Sequence, residues 1–268
     1  MPRPSDKART FRALHERCFV IANAWDAGSA RVLAGLGFQA LATSSGAQAN
    51  TLGRLDGTVV RDEALAHART IVDATDLPVS ADLEKGFGDA PEAAAETIRL
   101  AGEIGLVGGS IEDSTGNPAR PLYDITQAAE RVAAAVHAAR ALPFEFTLTA
   151  RSENFLRGNP DLDDTIRRLQ LYEKAGADVL FAPALPDLVA VKTVCSSVTK
   201  PVNFMVGIPG KSFSVAELEA AGVRRISLAT SLYRAAMTGL FDAAREVKER
   251  GTFEYLDRLM DVNKYMRR

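Results

Sequence analysis

Short apolar runs alternate along the chain with longer, alanine-rich stretches whose apolar positions recur at helical spacing. Eight runs have the length and composition of β-strands: residues 18–22, 39–43, 78–82, 108–112, 145–150, 178–182, 202–206 and 225–229. Seven segments between them are predicted helices: 27–36, 60–75, 90–104, 126–141, 163–175, 186–198 and 215–221. The tail, residues 231–265, is predicted to form two or more further helices.

This regular alternation predicts a parallel sheet in an α/β fold, and the strand runs are apolar throughout, as in strands buried on both faces. Eight strand–helix units favour a closed (β/α)8 TIM barrel. An open sheet usually carries Gly-x-Gly-x-x-Gly after its first strand, whereas Asn-Ala-Trp-Asp follows that strand here, at 23–26. No linker divides the sequence, so we expect one barrel domain over residues 1–268, with additional C-terminal helices from about residue 231.

The composition narrows the classes of partner. The chain has 268 residues, 47% of them hydrophobic, and 32 Lys and Arg against 34 Asp and Glu. This even balance predicts no nucleic-acid partner and no basic membrane-binding face. Neither a run of about 18 apolar residues nor the apolar segment of a signal peptide is present, so we expect a cytoplasmic protein. Cys18 and Cys195 lie far apart and are expected to be reduced core residues.

Acidic side chains follow the third and fourth predicted strands, at the end of a barrel where active sites lie. Asp82 and Glu84 follow strand three, and Glu112 ends strand four. Carboxylates without nearby His or Cys form the ligand set of a hard cation, and Mg²⁺ prefers oxygen ligands while keeping several waters. We therefore expect these three carboxylates to bind Mg²⁺, some of them through water. The alternative is that they cap helices or pair with Lys85 and Arg151.

Two further groups are candidates for binding an anionic substrate. Arg151 follows strand five, and its planar fork can hold a carboxylate through two hydrogen bonds. The alternative for Arg151 is an ion pair with Glu153 or Glu112. Residues 45–47 could offer backbone N–H groups to a second anionic group, the alternative being an ordinary strand-to-helix turn.

The residues that are absent also discriminate between classes of enzyme. The chain's histidines, His15, His67 and His137, fall in predicted helices or before a strand. A histidine general base or a His-rich zinc centre is therefore not expected. The sixth strand, residues 178–182, has no lysine, which argues against a Schiff-base aldolase.

Five stretches at the strand ends are informative together: Thr43-Ser-Ser-Gly46 with Asp56, Asp82-Leu-Glu84-Lys-Gly-Phe-Gly88, Ile111-Glu-Asp113, Thr149-Ala-Arg151-Ser-Glu153, and Asn203. Each is modestly specific, whereas their order, spacing and strand-end placement are highly specific in combination. In these features the chain resembles the isocitrate lyase/phosphoenolpyruvate mutase superfamily, over about residues 19–237.

The resemblance implies a (β/α)8 barrel that binds Mg²⁺, or Mn²⁺ in its place, and a small 2-oxo acid. It implies that Asp82 contacts the metal directly, that Glu84 and Glu112 act largely through water, and that Asp56 supports them. The residues implied to bind the substrate are Thr43, Ser45, Gly46, Ala47, Arg151 and Asn203. The resemblance also implies a homotetramer, or a dimer, whose subunits exchange their final helices.

In that family a bond next to a carbonyl is cleaved, and Mg²⁺ stabilises the enolate that remains. Isocitrate-type lyases carry a Lys-Cys-Gly-His type motif in the loop after strand four. Here that loop, residues 113–124, has no Cys and no His, which counts against such activity. Phosphoenolpyruvate mutase and phosphonopyruvate hydrolase use Lys and Asn there. This loop has Asn117 but no lysine, and Arg120 could take part of the lysine's role.

Oxaloacetate decarboxylases belong to the remaining part of the family, and decarboxylation needs no base to remove a substrate proton. Our first hypothesis is therefore a Mg²⁺-dependent lyase. It would cleave a C–C bond of a small 2-oxo or 2-hydroxy di- or tricarboxylic acid, as oxaloacetate decarboxylase or 2-methylisocitrate lyase does. The expected catalytic residues are Arg151, Glu112, Arg120 and Tyr123.

The proton donor to the enolate is expected to be water or Tyr123, which lies in the loop after strand four. The alternative for this tyrosine is that it packs the loop onto the barrel. Two other functions stay open from the sequence. One is an enzyme that acts on a P–C bond, and the other is a non-catalytic binder of dicarboxylates.

Overall fold

The computed structural model describes residues 2–266. Its eight parallel strands close into a barrel in sequence order, and the closing pair sets Phe19 opposite Arg225 and Ile21 opposite Ser227. The strands are β1 (Phe19–Asn23), β2 (Leu41–Ala42), β3 (Val79–Asp82), β4 (Gly108–Glu112), β5 (Thr147–Arg151), β6 (Val179–Phe181), β7 (Val202–Met205) and β8 (Arg225–Ser227). The predicted (β/α)8 barrel is therefore confirmed.

Helices connect the strands and continue beyond the last one. They are α1 (Pro4–Leu14), α2 (Ala27–Gly35), α3 (Ser45–Thr51), α4 (Arg61–Ala74), α5 (Pro91–Glu103), α6 (Ile125–Arg140), α7 (Leu162–Lys174), α8 (Leu188–Ser196), α9 (Val215–Ala220), α10 (Ser231–Arg250) and α11 (Asn263–Met266). A 3-10 helix, Glu254–Arg258, lies between the last two. The predicted C-terminal helices are thus present.

Local chemistry explains where many helices begin and end. The Asp26 carboxylate accepts a hydrogen bond from the Ser29 backbone N–H at 2.6 Å and caps α2, which satisfies one of the free N–H groups at a helix start. Gly37, Gly176 and Gly222 follow helix ends with φ of 90°, 101° and 100°. Glycine adopts this left-handed conformation at little cost, so it ends a helix cleanly.

Helix α1 closes the N-terminal end of the barrel, and the sequence pattern did not predict it. Phe11 is fully buried, and its ring lies edge-on to Phe19 with 6.4 Å between the centroids. Ala8 and Leu14 share this buried face. The rest of the helix is polar, and this masks its apolar stripe in a sequence reading.

Helix α10 leaves the barrel instead of packing along it. Among its 20 residues only Glu246 is buried, whereas Met237, Leu240 and Phe241 are 41%, 59% and 61% exposed. A stripe of exposed apolar side chains on one helix is unusual for an isolated globular chain. Within residues 2–266, no helix is both long and apolar enough to cross a membrane.

Candidate active site

A cavity of about 320 Å³ opens at the C-terminal end of the barrel, where the strands deliver their polar residues. The predicted site residues that line it are Thr43, Ser45, Gly46, Asp56, Asp82, Arg151 and Asn203. The predicted residues that do not line it are Ala47, Glu84, Glu112, Arg120 and Tyr123. The three histidines also lie outside its lining, as the sequence predicts.

Asp82, the last residue of β3, is fixed by neighbouring strands. Its Oδ2 accepts hydrogen bonds from the Ser45 hydroxyl at 3.0 Å and the Ser45 N–H at 3.3 Å. Its own N–H donates to Thr43 Oγ1 at 3.0 Å, and Ser110 Oγ donates to Asp82 Oδ1 at 3.4 Å. The side chain is therefore held in one orientation at the cavity wall by neutral hydrogen-bond donors.

Arg151, the last residue of β5, sits among three carboxylates. Its Nε donates to Glu153 Oε1 at 2.5 Å, and its Nη1 lies 3.6 Å from Glu112 Oε2 and 3.8 Å from Asp82 Oδ1. The guanidinium also stacks over Phe181, 5.0 Å from the ring centroid. Burial acts to lower the pKa of Arg151, but the three carboxylates raise it above its usual range. The ion pairs weighed as an alternative are thus present, and Arg151 also faces the cavity.

Glu84 and Glu112 lie just behind the cavity wall. The Glu84 carbonyl accepts the Glu112 N–H at 2.9 Å, and Glu84 adopts a left-handed φ of 49°, which is strained for a residue with a side chain. Burial, followed by the charges of Asp82 and Asp56, raises the pKa of Glu84 to about 7. Burial and the Glu153 charge raise the pKa of Glu112. Bringing a cation here would favour the ionised form of both carboxylates.

This donor set fits a hard divalent cation. All the candidate ligands are oxygen atoms, from Asp82, Asp56, Glu84 and Glu112. Across residues 2–266, no three His, Cys, Asp or Glu groups are positioned to hold a metal by themselves. Mg²⁺ does not require three protein ligands, because it keeps several waters and takes substrate oxygens. The mode that the resemblance implies, in which one carboxylate binds directly and others act through water, stays a prediction.

The turn after β2 becomes helix α3. Ser44 caps it by accepting the Ala47 N–H at 3.4 Å, and the Ser45 N–H is donated to Asp82. Two of the three backbone donors expected for a substrate anion are therefore used within the protein. Gly46 lines the cavity, while Ala47 is buried behind it.

Tyr123 and Arg120 lie away from the cavity. Tyr123 is 3% exposed, its hydroxyl donates to Asp89 Oδ1 at 2.5 Å, and the Arg131 guanidinium covers its ring at 4.5 Å. Burial and the hydrogen bond to Asp89 raise the pKa of Tyr123. The exposed Arg120 donates to Gln127 Oε1 at 3.4 Å. These contacts correspond to the alternative for Tyr123, a residue that packs its loop onto the barrel.

A buried network behind the site supports Arg151, and the sequence reading missed it. Asp113 accepts the Glu153 N–H at 2.8 Å, the Tyr172 hydroxyl at 2.6 Å and the Arg168 guanidinium at 3.1 Å. Asp113 thereby fixes Glu153, which in turn holds the Arg151 guanidinium. Tyr172 and Arg168 come from α7, a segment that carries no motif in the sequence.

Other cavity residues were missed because they lie outside the motifs that the sequence analysis singled out: Asn23, Ser110, Arg225, Ser227 and Arg234. A signal was available in strand eight, which reads Arg-Ile-Ser rather than a continuous apolar run. Successive strand side chains point to opposite faces, so Arg225 and Ser227 share the barrel interior.

A closed barrel with carboxylates and a paired arginine at the strand ends has the layout of an enzyme active site. The sequence model of the phosphoenolpyruvate phosphomutase family matches residues 11–248. The chain belongs to the isocitrate lyase/phosphoenolpyruvate mutase superfamily, a group of lyases and mutases, and it is an enzyme of that superfamily.

Three similar proteins illustrate the range of this family. A lyase/mutase from Burkholderia cenocepacia J2315, of known structure, is 50% identical, with a TM-score of 0.96, over 98% of this chain and 97% of that chain. The 2-methylisocitrate lyase of Escherichia coli K12 is 29% identical over 81% of this chain and 75% of its own. An oxaloacetate decarboxylase of Ectopseudomonas mendocina is 29% identical over 88% and 82%.

Proposed function

We propose that this enzyme is a Mg²⁺-dependent carbon–carbon lyase of small 2-oxo acids and that it decarboxylates oxaloacetate. The observation that carries this proposal is the juxtaposition of Asp82 and Arg151 in one cavity of about 320 Å³. One residue offers oxygen to a hard cation, and the other offers a fork to a carboxylate. This volume is at the lower end of the range for small-molecule sites, which suits a substrate of a few carbons.

The chain's own residues have separate tasks in this proposal. Asp82, with Asp56, Glu84 and Glu112 around it, would hold Mg²⁺, which supplies Lewis-acid polarisation of the 2-oxo group when bound. Arg151 binds the carboxylate next to that group, and Glu153 fixes the guanidinium. In oxaloacetate the C3–C4 bond breaks, its electrons pass into the C2–C3 enolate, and CO2 leaves. A water proton then adds to C3 and gives pyruvate.

The loop after β4 favours decarboxylation over isocitrate-type cleavage. Residues 113–124 contain no Cys and no His, and the structure sets Tyr123 and Arg120 away from the cavity. Among the reactions of this superfamily, decarboxylation depends least on catalytic residues in this loop, because it needs no base.

The test is pyruvate release from oxaloacetate by the purified protein with Mg²⁺ and with EDTA. Free metal ions catalyse some decarboxylation, so the relevant quantity is the excess over an Asp82→Ala variant. We expect Asp82→Ala and EDTA each to lower turnover by at least about a hundredfold, since each removes the cation that polarises the carbonyl. A wild-type rate equal to that of Asp82→Ala would refute the proposal.

A second candidate is an enzyme acting on a P–C bond, and the match to the phosphoenolpyruvate phosphomutase family favours it. The cavity would serve phosphonopyruvate similarly, because that substrate shares the 2-oxo carboxylate. The absence of lysine from the loop after β4 counts against it. Phosphate or phosphoenolpyruvate formed from phosphonopyruvate, without pyruvate formed from oxaloacetate, would establish this candidate instead.

We also propose a cytoplasmic homotetramer or dimer, in which α10 packs on a second copy of the chain. The exposed apolar side chains of Met237, Leu240 and Phe241 support it. Sedimentation or light scattering should give a mass of two or four chains, and Phe241→Asp should lower it. A wild-type monomer at micromolar concentration would refute the assembly.

A further inference from the structure

A second cavity lies at the opposite end of the barrel from the candidate active site, and we call it the floor cavity. It has a volume of about 260 Å³ and is formed where α1 ends and where strands β5, β6 and β7 begin. Its polar lining consists of Arg12, His15, Glu16, Thr147, Asp178 and Lys200. None of these residues lines the active-site cavity, and the proposed reaction uses none of them.

The wall of the floor cavity contains a buried hydroxyl group without a partner. Thr147, the first residue of β5, is 1% exposed. Within the residues that the structure describes, its Oγ1 has no hydrogen-bond partner. A buried hydroxyl that makes no hydrogen bond costs free energy relative to one that is satisfied. The proton of Thr147 is therefore available to a ligand that enters the cavity.

Two cationic side chains of the lining keep most of their hydrogen-bonding capacity. Arg12 Nη1 lies 3.6 Å from Asp178 Oδ1, which is too far for a hydrogen bond. Lys200 Nζ has neither a hydrogen bond nor an ion pair among residues 2–266. Asp178 is satisfied without them, because it accepts Arg140 Nη2 at 2.7 Å and the Leu148 N–H at 2.9 Å. Arg12 and Lys200 therefore bring positive charge to the cavity that Asp178 does not cancel.

A third positive charge is buried next to the floor cavity. Arg225, at the start of β8, is 5% exposed, and its Nε and Nη2 donate to Asn203 Oδ1 and Thr149 Oγ1, both at 2.8 Å. Its Nη1 lies 3.4 Å from His15 Nε2. In the part of the chain that the structure describes, no Asp or Glu forms an ion pair with Arg225. A buried cation with neutral partners attracts an anion strongly over a short distance.

His15 separates this cation from the floor cavity and does not add to the charge. Its Nδ1 lies 2.9 Å from the Phe11 carbonyl oxygen, which only accepts hydrogen bonds, so Nδ1 carries the proton and Nε2 accepts from Arg225. Burial, followed by the Arg225 charge, lowers the pKa of His15 to about 3. The imidazole is therefore neutral near pH 7, and the Arg225 charge stands uncancelled behind it.

Glu16 is the acidic residue of the lining that opposes these charges. It is exposed, so water screens its charge more than it screens the buried charge of Arg225. The balance favours an anion. The donors of Arg12, Lys200 and Thr147 come from three different parts of the chain, which suits a group with several oxygens. The volume lies below the range for drug-sized ligands, so the ligand is small.

We propose that the floor cavity binds a small oxyanion, either a phosphate or a carboxylate group, through Arg12, Lys200 and the Thr147 hydroxyl. This site lies at the opposite end of the barrel from the candidate active site, so its ligand does not occupy the substrate space. The inference is independent of the proposed function, because no residue of the floor cavity takes part in the reaction.

The test is a titration of the metal-free protein with inorganic phosphate at constant ionic strength, followed by NMR of labelled valine and isoleucine methyl groups. Val179 lines the floor cavity and Ile208 lines the active-site cavity, so their signals report the two ends of the barrel separately. We expect the Val179 signals to shift and to saturate with a dissociation constant of about 1 mM. A parallel titration with acetate distinguishes a phosphate site from a carboxylate site.

Five variants test which groups bind the anion. We expect Arg12→Gln and Lys200→Gln each to weaken phosphate binding by about three- to tenfold, and Thr147→Val to weaken it by about tenfold. Glu16→Gln should strengthen it by about two- to fivefold, because an opposing charge is removed. The matched control is Lys192→Gln, which removes the charge of an exposed lysine outside both cavities and should leave the affinity unchanged.

Thermal unfolding of Thr147→Val separates binding of a ligand from a structural role. The hydroxyl has no partner in the ligand-free protein, so the midpoint without phosphate should not fall, whereas the rise that phosphate produces should be smaller than in the wild type. The inference would be overturned if the Val179 signals did not saturate with either anion up to about 50 mM. Equal weakening by Lys192→Gln and Lys200→Gln would overturn it as well.

Discussion

Two groups of polar and charged side chains adjoin the segment that follows β3, and the two groups differ in their surroundings. The cavity cluster consists of Asp82, Glu112, Arg151 and Glu153, of which Asp82 and Arg151 line the cavity and the two glutamates lie behind them. The loop latch consists of Lys85, Asp89, Tyr123 and Arg131 and fastens residues 113–124 to the barrel. In the latch, Lys85 Nζ donates to Asp89 Oδ1 at 2.7 Å and to the Thr115 carbonyl at 2.8 Å, while Arg131 donates to the carbonyls of Asp89 and Lys85.

The carboxylates near these two groups respond to their surroundings in opposite ways. Next to the cavity cluster, burial and like charges raise the pKa of Glu84 to about 7. In the latch, hydrogen bonds from Lys85 and then Tyr123 lower the pKa of the exposed Asp89. Crowded carboxylates that outnumber the arginine among them are typical of a site for a cation or a substrate, whereas a carboxylate satisfied by hydrogen bonds is typical of a structural contact. Changes in the first group should therefore affect turnover, and changes in the second should affect stability.

The variant Arg151→Lys is expected to have the largest effect on turnover. An ammonium group cannot bind Glu153 and a substrate carboxylate at once with a planar fork, so we expect kcat/KM to fall by about a hundred- to a thousandfold. Arg157→Lys is the matched control, because Arg157 also pairs with Glu112 and Glu153 but does not line the cavity. A loss in the control as large as that in Arg151→Lys would contradict the distinction between substrate contact and support.

The next largest expected effect is a pH dependence of the affinity for Mg²⁺, caused by Glu84. Its pKa of about 7 in the metal-free protein lies above the ordinary 4.5, so Mg²⁺ must displace a proton below pH 7. We expect the affinity for Mg²⁺ to fall by up to about tenfold per pH unit below 7, measured by calorimetry, and this slope to flatten in Glu84→Gln.

The same shift has a consequence for the stability of the metal-free protein. The pKa of Glu84 is higher in the folded protein than in the unfolded chain. Its contribution to the free energy of unfolding is therefore fully present below pH 4.5 and is lost as pH rises through about 7. Denaturation of the wild type and of Glu84→Gln between pH 5 and 8 should therefore diverge. Parallel stability curves would argue against a raised pKa for Glu84.

The smallest expected effect on turnover is that of Tyr123→Phe. Its hydroxyl binds Asp89 outside the cavity, so we expect pyruvate release to stay within about twofold and the free energy of unfolding to fall by about 0.5–1.5 kcal/mol. Tyr172→Phe is the contrasting variant, since it removes a buried bond to Asp113 behind Glu153 and should lower both quantities. A hundredfold loss in Tyr123→Phe would restore this residue as a proton donor.

The barrel could be predicted because the sequence pattern that indicates it is local and is repeated along the chain. Each strand and each connecting helix carries its own apolar pattern, and eight repetitions outweigh boundary errors, such as 39–43 for a strand observed at Leu41–Ala42. The strand-end carboxylates and Arg151 could be found because they lie in short motifs. The placement of Asp82 and Arg151 in one cavity followed from the rule that parallel strands end at the same rim of a barrel, whereas Glu84 and Glu112 lie behind its wall.

What escaped prediction depends on contacts between distant segments. Tyr123 was assigned by its loop position, and the partner that holds it, Asp89, lies 34 residues away. Arg225 was missed because its role arises from His15, Asn203 and Thr149, which come from three other elements. Helix α1 was not predicted because it is stabilised by packing on Phe19 at the floor of the barrel. That packing surface exists only once the strands have closed into a barrel.

Helix α10 has a mechanical consequence. It begins where Thr230 and Arg234 line the cavity and runs for 20 residues, so as a stiff rod it reaches about 30 Å from the substrate space. A tilt of about 5° at one end displaces the other by about 2–3 Å over that length. A small change of direction where the helix leaves the cavity is therefore amplified into a displacement of several ångströms at whatever rests against its far end.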